Sequence, residues 1–452
     1  MTKNKLIKNI DLTEGNIPKQ ILLFALPVFL GQLLQQLYNM ADAWVIGNFA
    51  DNESFAAVSS GGNLTFLIIG FFSGLAIGGS VIISRYFGAK DEKNTSRAIH
   101  ANILIAIIAS ILATLVGLLL VPQILVWIKT PDNVLPQSLA YFRVYFAGVA
   151  TIIMYNTGMS VMRAVGDSIH PLIYLAISSI VNVVLDILFV AVFDWGVTGA
   201  AVATVISQGL SALLCIIQML RLPEAIRLSL KKLRFDGIML WQVIRQGLPT
   251  GIQNAVISVG NIVIQSNINS FGEFAMSGHG AYSRIEGIVF LPIMCMSMSL
   301  PTFVSQNLGA GKIERAKKGA VFGTLFGVLF SEVVGVLLYF FTPQMLSIFT
   351  KNPEALAFGT IHGRTVSLFF FLLAFSHCVA GVLRGCGKAI IPMIVMLGVW
   401  CGIRILYITI AIQYFPVFRT ISAAYPITWG ISSILYAISV LRLNWNKAIE
   451  SL

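Results

Sequence analysis

Four carboxylates interrupt long apolar stretches of this sequence: Asp42, Asp186, Glu286 and Glu332. On insertion scales, an acidic side chain within a membrane span costs about 2.5–3.5 kcal/mol, so such a residue usually has a specific role. Carboxylates that lie close together can bind a small cation or share a proton. Their chemistry therefore depends on which of them the surrounding elements bring together.

Asp42 and Asp186 each lie near the far end of an apolar run that is expected to point outward. Asn182 precedes Asp186 by four residues, so it lies on the same helical face one turn below. Thr204 follows on the next, inward run, roughly 14 Å below the outer edge at 1.5 Å per residue. Oxygen ligands of these types suit an alkali cation. We therefore predict a site for Na⁺ or H⁺, with a purely structural hydrogen-bonded cluster as the alternative.

The composition indicates the elements that hold these groups. Only 11% of the 452 residues are charged and 57% are apolar, whereas soluble globular proteins carry about 25% charged residues. A soluble fold is therefore excluded, and runs of about 20 residues suffice to cross a bilayer as helices. The predicted spans are 20–41, 54–84, 98–128, 134–162, 168–193, 195–220, 246–272, 275–303, 316–340, 361–383, 389–412 and 420–441.

The net charge of +11 is distributed unevenly. If odd-numbered spans run outward, most of the 30 Lys and Arg residues lie at the termini and in loops after even-numbered spans. By the positive-inside rule, both termini are expected in the cytoplasm. This distribution indicates a membrane protein surrounded by lipid and gives no reason to expect nucleic acid as a partner. The five cysteines show no ligand spacing, so we expect free thiols and neither zinc nor disulfides.

Segments of the chain recur at an offset of 221 or 222 residues. The matched pairs are Pro27 and Pro249, Ser84–Lys90 and Ser305–Gly311, Arg163 and Arg384, and Pro171 and Pro392. Each repeat holds an even number of spans, so both insert with the same orientation and are related by a pseudo-twofold axis along the membrane normal. The predicted fold is an all-α integral membrane protein with two six-helix bundles at 1–220 and 246–452, joined by a cytoplasmic linker at 221–245.

Several motifs resemble those of the multidrug and toxic compound extrusion (MATE) family over nearly the whole chain. They are Leu26-Pro27 followed by Gln35-Gln36 and Asp42, the paired Arg-x-x-Gly loops at Arg163 and Arg384, and Gln306-Asn307-x-Gly-Ala. The resemblance implies a V-shaped, twelve-helix exporter that expels cationic or amphipathic compounds in exchange for Na⁺ or H⁺. It also implies that Asp42, Asn182, Asp186 and Thr204 form the cation site, and we expect its occupancy to bend the first span near Pro27.

The second half departs from this pattern. The duplicates of Asp42 and Asp186 are Ile264 and Tyr407, and the duplicate of Asn182 is Ile403. Some family members carry an acidic pair in the seventh and tenth spans. The corresponding residues here are Ile257 and Leu373, which are both apolar. A second cation site of that type is therefore not expected.

Ionisable side chains of the second half lie roughly 16–22 Å deep in their spans. They are Glu286, Glu332, His377 and Arg404. One interpretation is an internal Glu–Arg pair that neutralises itself, and the other is that Glu286 faces a central cavity and attracts a cationic substrate. Met294 and Met298 share a helix face; flexible thioethers suit a promiscuous pocket, although methionine also packs in ordinary helices. Together with Gln35, these residues are the candidates for a substrate cavity.

The sequence contains neither a phosphate loop nor a nucleophile with its base, so we predict a transporter rather than an enzyme. The predicted function is secondary active multidrug export by alternating access in a bacterial inner membrane. The predicted coupling ion is Na⁺ or H⁺, with no organic cofactor and no obligatory protein partner. The alternatives are a lipid-linked oligosaccharide flippase, for which a basic cavity would be expected, and a membrane enzyme or receptor.

Overall fold

The computed structural model describes residues 10–127 and 130–450, with the side chains of 52–67, 127, 258–259 and 449–450 left out of that description. Residues 1–9 of the first predicted bundle therefore lie outside the described residues. All regular structure within the described ranges is helical. In lipid, every backbone N–H and C=O must find an internal partner, and helices achieve this within one segment.

The first half consists of seven α-helices. They are α1 Ile17–Phe49, α2 Asn52–Gly88, α3 Glu92–Trp127, α4 Leu135–Ala147, α5 Val149–Ala164, α6 Ile169–Asp186 and α7 Gly196–Leu220. Helices α4 and α5 form one span bent by 48° at Gly148. Helix α6 continues directly into a π-helical turn at Ile187–Val192, immediately after Asp186.

The second half repeats this order with more interruptions. Its helices are α8 Gly237–Asn269, α9 Glu273–Gly309, α10 Ile313–Leu346, α11 Pro353–Val366, α12 Phe370–Gly385, α13 Ile390–Val395, α14 Arg404–Tyr414, α15 Phe418–Leu441 and α16 Trp445–Glu450. A 3₁₀ turn at Ser367–Phe369 separates α11 from α12, and a π-helical segment at Met396–Ile403 joins α13 to α14. Helix α11 starts where the Asn352 side chain accepts hydrogen bonds from the backbone N–H groups of Glu354 and Ala355.

The predicted fold of twelve spans in two bundles is confirmed. Ten described helices are long and apolar enough to cross a membrane, and the bent pair α4 and α5 makes eleven. The one predicted span not yet counted is the seventh, 246–272, and most of it lies in α8, a helix of 33 residues. The chain is therefore a multi-pass membrane protein.

The chain separates into two compact units. One comprises Leu26–Gly251 with the chain up to Asp11, and the other comprises Leu12–Ala25 and Ile252–Leu452. The basic segment 221–245 packs within the first unit, because Arg97 Nε lies 2.7 Å from Asp236 Oδ2 and Ser229 N donates to His100 Nε2 at 3.0 Å. The predicted boundaries of the two bundles and the linker stay predictions.

Each unit has its own apolar core. In the first, Phe142 and Phe146 of α4 stack with ring centroids 6.1 Å apart and are fully buried between α3, α5 and α7. In the second, Trp429 of α15 packs against Phe370 at the start of α12 with centroids 6.0 Å apart. Burying large aromatic groups in this way rigidifies the helices that carry the polar side chains described next.

Candidate functional site

The carboxyl groups of Asp42 and Asp186 meet inside the first unit. Helix α1 delivers Asp42 and the end of α6 delivers Asp186, and the two carboxyl groups interact directly. Asp186 is fully buried and Asp42 is half-buried. Since an ionised carboxylate donates no hydrogen bond, this approach satisfies neither group unless a proton or cation lies between them.

Thr204 joins the pair through a residue that sequence reasoning missed. Tyr38 precedes Asp42 by one turn of α1, and its hydroxyl donates to Thr204 Oγ1 at 3.5 Å. The same hydroxyl interacts with Gln208, which follows Thr204 by one turn of α7. The i, i+4 spacing of each pair is the sequence signal that could have found them.

Two tyrosines of α4 lie near the acidic pair. Tyr141 and Tyr145 of α4 stack at 5.8 Å with an interplanar angle of 22°, and both lie within electrostatic range of Asp42 and Tyr38. Both rings are almost completely buried.

Several oxygen atoms at this site have no hydrogen-bond partner in the part of the chain that the structure describes. They are Oδ1 of Asp42, both carboxylate oxygens of Asp186, the amide oxygen of Asn182 and Oε1 of Gln208. Burying such groups unpaired costs a few kcal/mol each. A donor set of carboxylate, amide and hydroxyl oxygens fits a hard alkali cation or a shared proton, so these residues fit the coupling ion that the sequence predicts.

Asn182 lies on α6 one turn before Asp186, as the sequence predicts, but it makes no hydrogen bond to Asp42, Asp186 or Thr204. It lies four residues before Asp186 on α6, is fully buried, and leaves both amide atoms unpaired among the described residues. Pro27 lies half-buried within the continuous helix α1, where it lacks an N–H donor. Gln35 lies seven residues before Asp42, two turns along α1, and is half-buried.

In the second unit, Arg404 is enclosed by aromatic rings. Its guanidinium carbon lies 5.0 Å from the ring centroid of Trp400 and 4.8 Å from that of Tyr425. Its Nε and Nη2 donate to Thr428 Oγ1 at 3.1 and 2.7 Å. Arg404 is 2% exposed. This is a charge held inside a membrane span by two π faces and one hydroxyl.

The internal Glu–Arg pair considered from sequence does not form as a direct contact. Among the described residues, no carboxylate lies within ion-pair distance of Arg404. Glu286 is half-buried on α9 and acts on Arg404 only at longer range. Instead, the Nε and Nη2 donors of Arg404 are directed to the Thr428 hydroxyl.

The remaining candidates of the second unit separate into two groups. His377 contacts the rings of Phe290 and Trp400, with centroids 5.0 and 5.5 Å apart, and so adjoins the Arg404 cluster. Glu332 instead accepts a hydrogen bond from the backbone N–H of Phe371 at 3.2 Å and caps the start of α12. Met294 and Met298 are half-buried on α9.

Comparison with known proteins also finds two matching halves in this chain. The family model MatE matches residues 27–188 and again residues 249–410. The chain is 29% identical over 382 residues to the probable multidrug resistance protein YpnP of Bacillus subtilis, covering 84% of this chain and 85% of that protein. It is 24% identical over 430 residues to the multidrug export protein MepA of Staphylococcus saprophyticus, covering 95% and 93%.

A solved structure described as MATE in the bent conformation shares the fold. Its TM-score is 0.91 at 21% identity, and the match covers 98% of this chain and 99% of that one. The two family matches begin at Pro27 and Pro249, the prolines that the internal repeat aligns. This chain therefore belongs to the MATE family of multi-pass membrane transporters.

Proposed function

We propose that the protein is a cation- or proton-coupled antiporter that exports cationic or amphipathic small molecules by alternating access. The observation that supports this most directly is the buried Asp42–Asp186 pair with its unpaired oxygens. Export is the activity named for the relative MepA, and the relative YpnP is named as a probable multidrug resistance protein. The coupling ion is Na⁺ or H⁺, since the same oxygen set accepts either.

Occupancy of the site changes the charge balance at the end of α1. Two like charges about 4 Å apart repel by about 4 kcal/mol at an effective dielectric constant near 20. A bound cation or proton removes that repulsion and draws Asp42 towards Asp186, whereas its departure releases the end of α1. Pro27 interrupts the hydrogen-bond ladder of α1, so the helix bends there at low cost.

The substrate is attracted by the acidic group of the second unit. Glu286 is a half-buried carboxylate without an ion-pair partner in the described residues, and Met294 and Met298 lie about two and three turns further along α9. A carboxylate and thioethers along one helix favour cationic molecules with flexible apolar parts. A flippase for lipid-linked pyrophosphates would require a basic site, and the family membership does not favour it. Both termini lie in the cytoplasm in this proposal.

The test is ethidium efflux from proteoliposomes that contain the purified protein. An imposed sodium gradient is compared with an imposed pH gradient, and the gradient that drives efflux identifies the coupling ion. Asp42→Asn is expected to abolish the response to that gradient. Asp194→Asn is the matched control, because Asp194 is exposed and its positive φ of 56° is one that Asn tolerates. Normal gradient-driven efflux by Asp42→Asn would overturn the proposed coupling.

A further inference from the structure

The two repeats differ in register along one span. Before the π-helical segment of the second unit, Pro392 corresponds to Pro171 at an offset of 221. The π-helical segment Met396–Ile403 closes its hydrogen bonds over five residues instead of four, so it takes in one extra residue. From Trp400 within this segment onwards, the counterpart of a residue in α6 therefore lies at an offset of 222. Arg404, the first residue of α14, becomes the counterpart of Asn182.

Contacts within each unit support this register. In the first unit, Ser211 of α7 donates to Ser178 of α6, with 2.5 Å between the hydroxyl oxygens. In the second, Trp400 Nε1 donates to Ser432 Oγ of α15 at 3.2 Å. Ser432 corresponds to Ser211 at an offset of 221, and Trp400 to Ser178 at 222. The same helix pair is thus joined at the same level in both repeats.

The acidic pair itself is replaced by an apolar pair. At the shifted register the counterpart of Asp186 is Ile408, and the counterpart of Asp42 is Ile264. Ile264 and Ile408 are both 1% exposed and belong to one packed cluster with Ile268 and Ala424. Where the first unit brings two carboxylates together, the second brings two isoleucines together. At these two positions the second repeat therefore offers no side-chain oxygen to an exchangeable ion.

One turn before Ile408, however, the second unit carries a positive charge. Arg404 donates to Thr428, the counterpart of Ser207, and lies over Tyr425, the counterpart of Thr204. Glu286 provides a negative charge at longer range. A buried guanidinium is costly unless such partners compensate it, and here it sits where the first repeat holds an unpaired amide beside its acids.

We propose that the guanidinium of Arg404 is a tethered cation. In the second repeat it permanently occupies the position that an exchangeable cation occupies in the first repeat. The chain then carries a single exchangeable site, at Asp42 and Asp186, and the second unit keeps a constant positive charge through the cycle. This inference rests on the proposed function, because it takes the first site to be one that binds and releases a cation.

The test is chemical rescue of stability in the purified full-length protein in detergent. Arg404→Ala is expected to lower the thermal midpoint, and millimolar guanidinium is expected to restore it with a roughly tenfold lower half-effective concentration than sodium. The matched control is Arg364→Ala, which removes an arginine that lies over Tyr339 at the surface of the same unit. Guanidinium is expected to leave the midpoint of that control and of the unmodified chain unchanged.

If the Arg404→Ala protein cannot be purified in folded form, a second pair of variants tests the role of the Arg404 charge. Arg404→Lys keeps the charge and is expected to be recovered in folded form, whereas Arg404→Met keeps an unbranched side chain without the charge and is expected to unfold at lower temperature. Wild-type stability of Arg404→Met, or equal effects of guanidinium on Arg404→Ala and Arg364→Ala, would overturn the inference. Stability is read without transport, so this result is independent of whether Asp42→Asn abolishes coupling.

Discussion

Asp42 and Asp186 face each other from two different helices, α1 and α6, within one compact unit. Asp42 lies on α1, the helix that contains Pro27. Asp186 is fully buried in the last turn of α6, just before a π-helical turn. A change of charge between these two side chains therefore acts on α1, the helix that carries Pro27 inside its length.

The first prediction concerns stability without bound ion. Asp42→Asn and Asp186→Asn are each expected to leave the thermal midpoint in cation-free buffer at alkaline pH equal to or above that of the unmodified protein, since either change removes a like charge. The midpoint is also expected to lose its dependence on added Na⁺ or H⁺. A variant that becomes less stable yet keeps its full ion dependence would show that the carboxylates are structural.

The second prediction concerns the hydroxyl of Thr204. Thr204→Val removes an oxygen that Tyr38 contacts at 3.5 Å, and it is expected to raise the cation concentration for half-maximal efflux by about tenfold, the equivalent of about 1.4 kcal/mol. Thr151→Val is the control, because the Thr151 hydroxyl bonds only to the nearby carbonyl of Gly148. Equal effects of the two changes would remove Thr204 from the site.

The third prediction separates the two glutamates of the second unit. Glu286→Gln is expected to lower export of cationic substrates more than that of neutral ones, because it removes a charge that attracts them. Glu332→Gln is expected to preserve export, since a Gln side chain still accepts the hydrogen bond from Phe371 N. Efflux rates for a matched pair of charged and neutral dyes measure both effects. Equal loss for charged and neutral dyes in Glu286→Gln would contradict the proposed role.

The fourth prediction concerns pH and the anchor of the basic segment. The Arg97 guanidinium, hydrogen-bonded to Asp236 at 2.7 Å, lowers the pKa of the Asp236 carboxyl. A lowered folded-state pKa means that this stabilisation is complete above the ordinary pKa of Asp and is lost as the pH falls through the folded value. Asp236→Asn is therefore expected to lower stability at neutral pH by about 0.2–1 kcal/mol, the range for partly exposed pairs.

The measurement is the thermal midpoint of both proteins as a function of pH. The difference between Asp236→Asn and the unmodified protein is expected to disappear in acid, where Asp236 is protonated in both folded and unfolded chains. Asp132→Asn, which changes an exposed loop residue, provides the control. A difference that grows towards acid pH would contradict the assigned direction.

Much of the architecture could be predicted because lipid imposes simple rules. Continuous apolar runs had to be helices, their rise fixed the depth of each polar residue, and the repeat predicted two similar bundles. Asp42, Asn182, Asp186 and Thr204 could therefore be grouped by depth alone. Tyr38, Gln208 and Tyr141 were missed, because i, i+4 spacing shows that two side chains share a helix face and does not show which neighbouring helix that face meets.

The second unit shows where depth was insufficient. Glu286, Glu332, His377 and Arg404 were placed at similar levels, yet Glu332 caps the start of α12 while Arg404 lies between two rings. Depth depends only on residue count, whereas the direction of a side chain depends on the rotation of its helix and on the helices packed beside it.

The sequence by itself determined that this chain spans a membrane, that it is duplicated, and that two acids of the first half reach one level, because hydropathy and helical rise depend on residue order alone. Only the tertiary structure decided that Asp42 meets Asp186 and that Arg404 takes the place of Asn182. The physical reason is that both relationships depend on helix rotation, and the π-helical segment before Arg404 changes that rotation by one residue without leaving a mark in the apolar pattern.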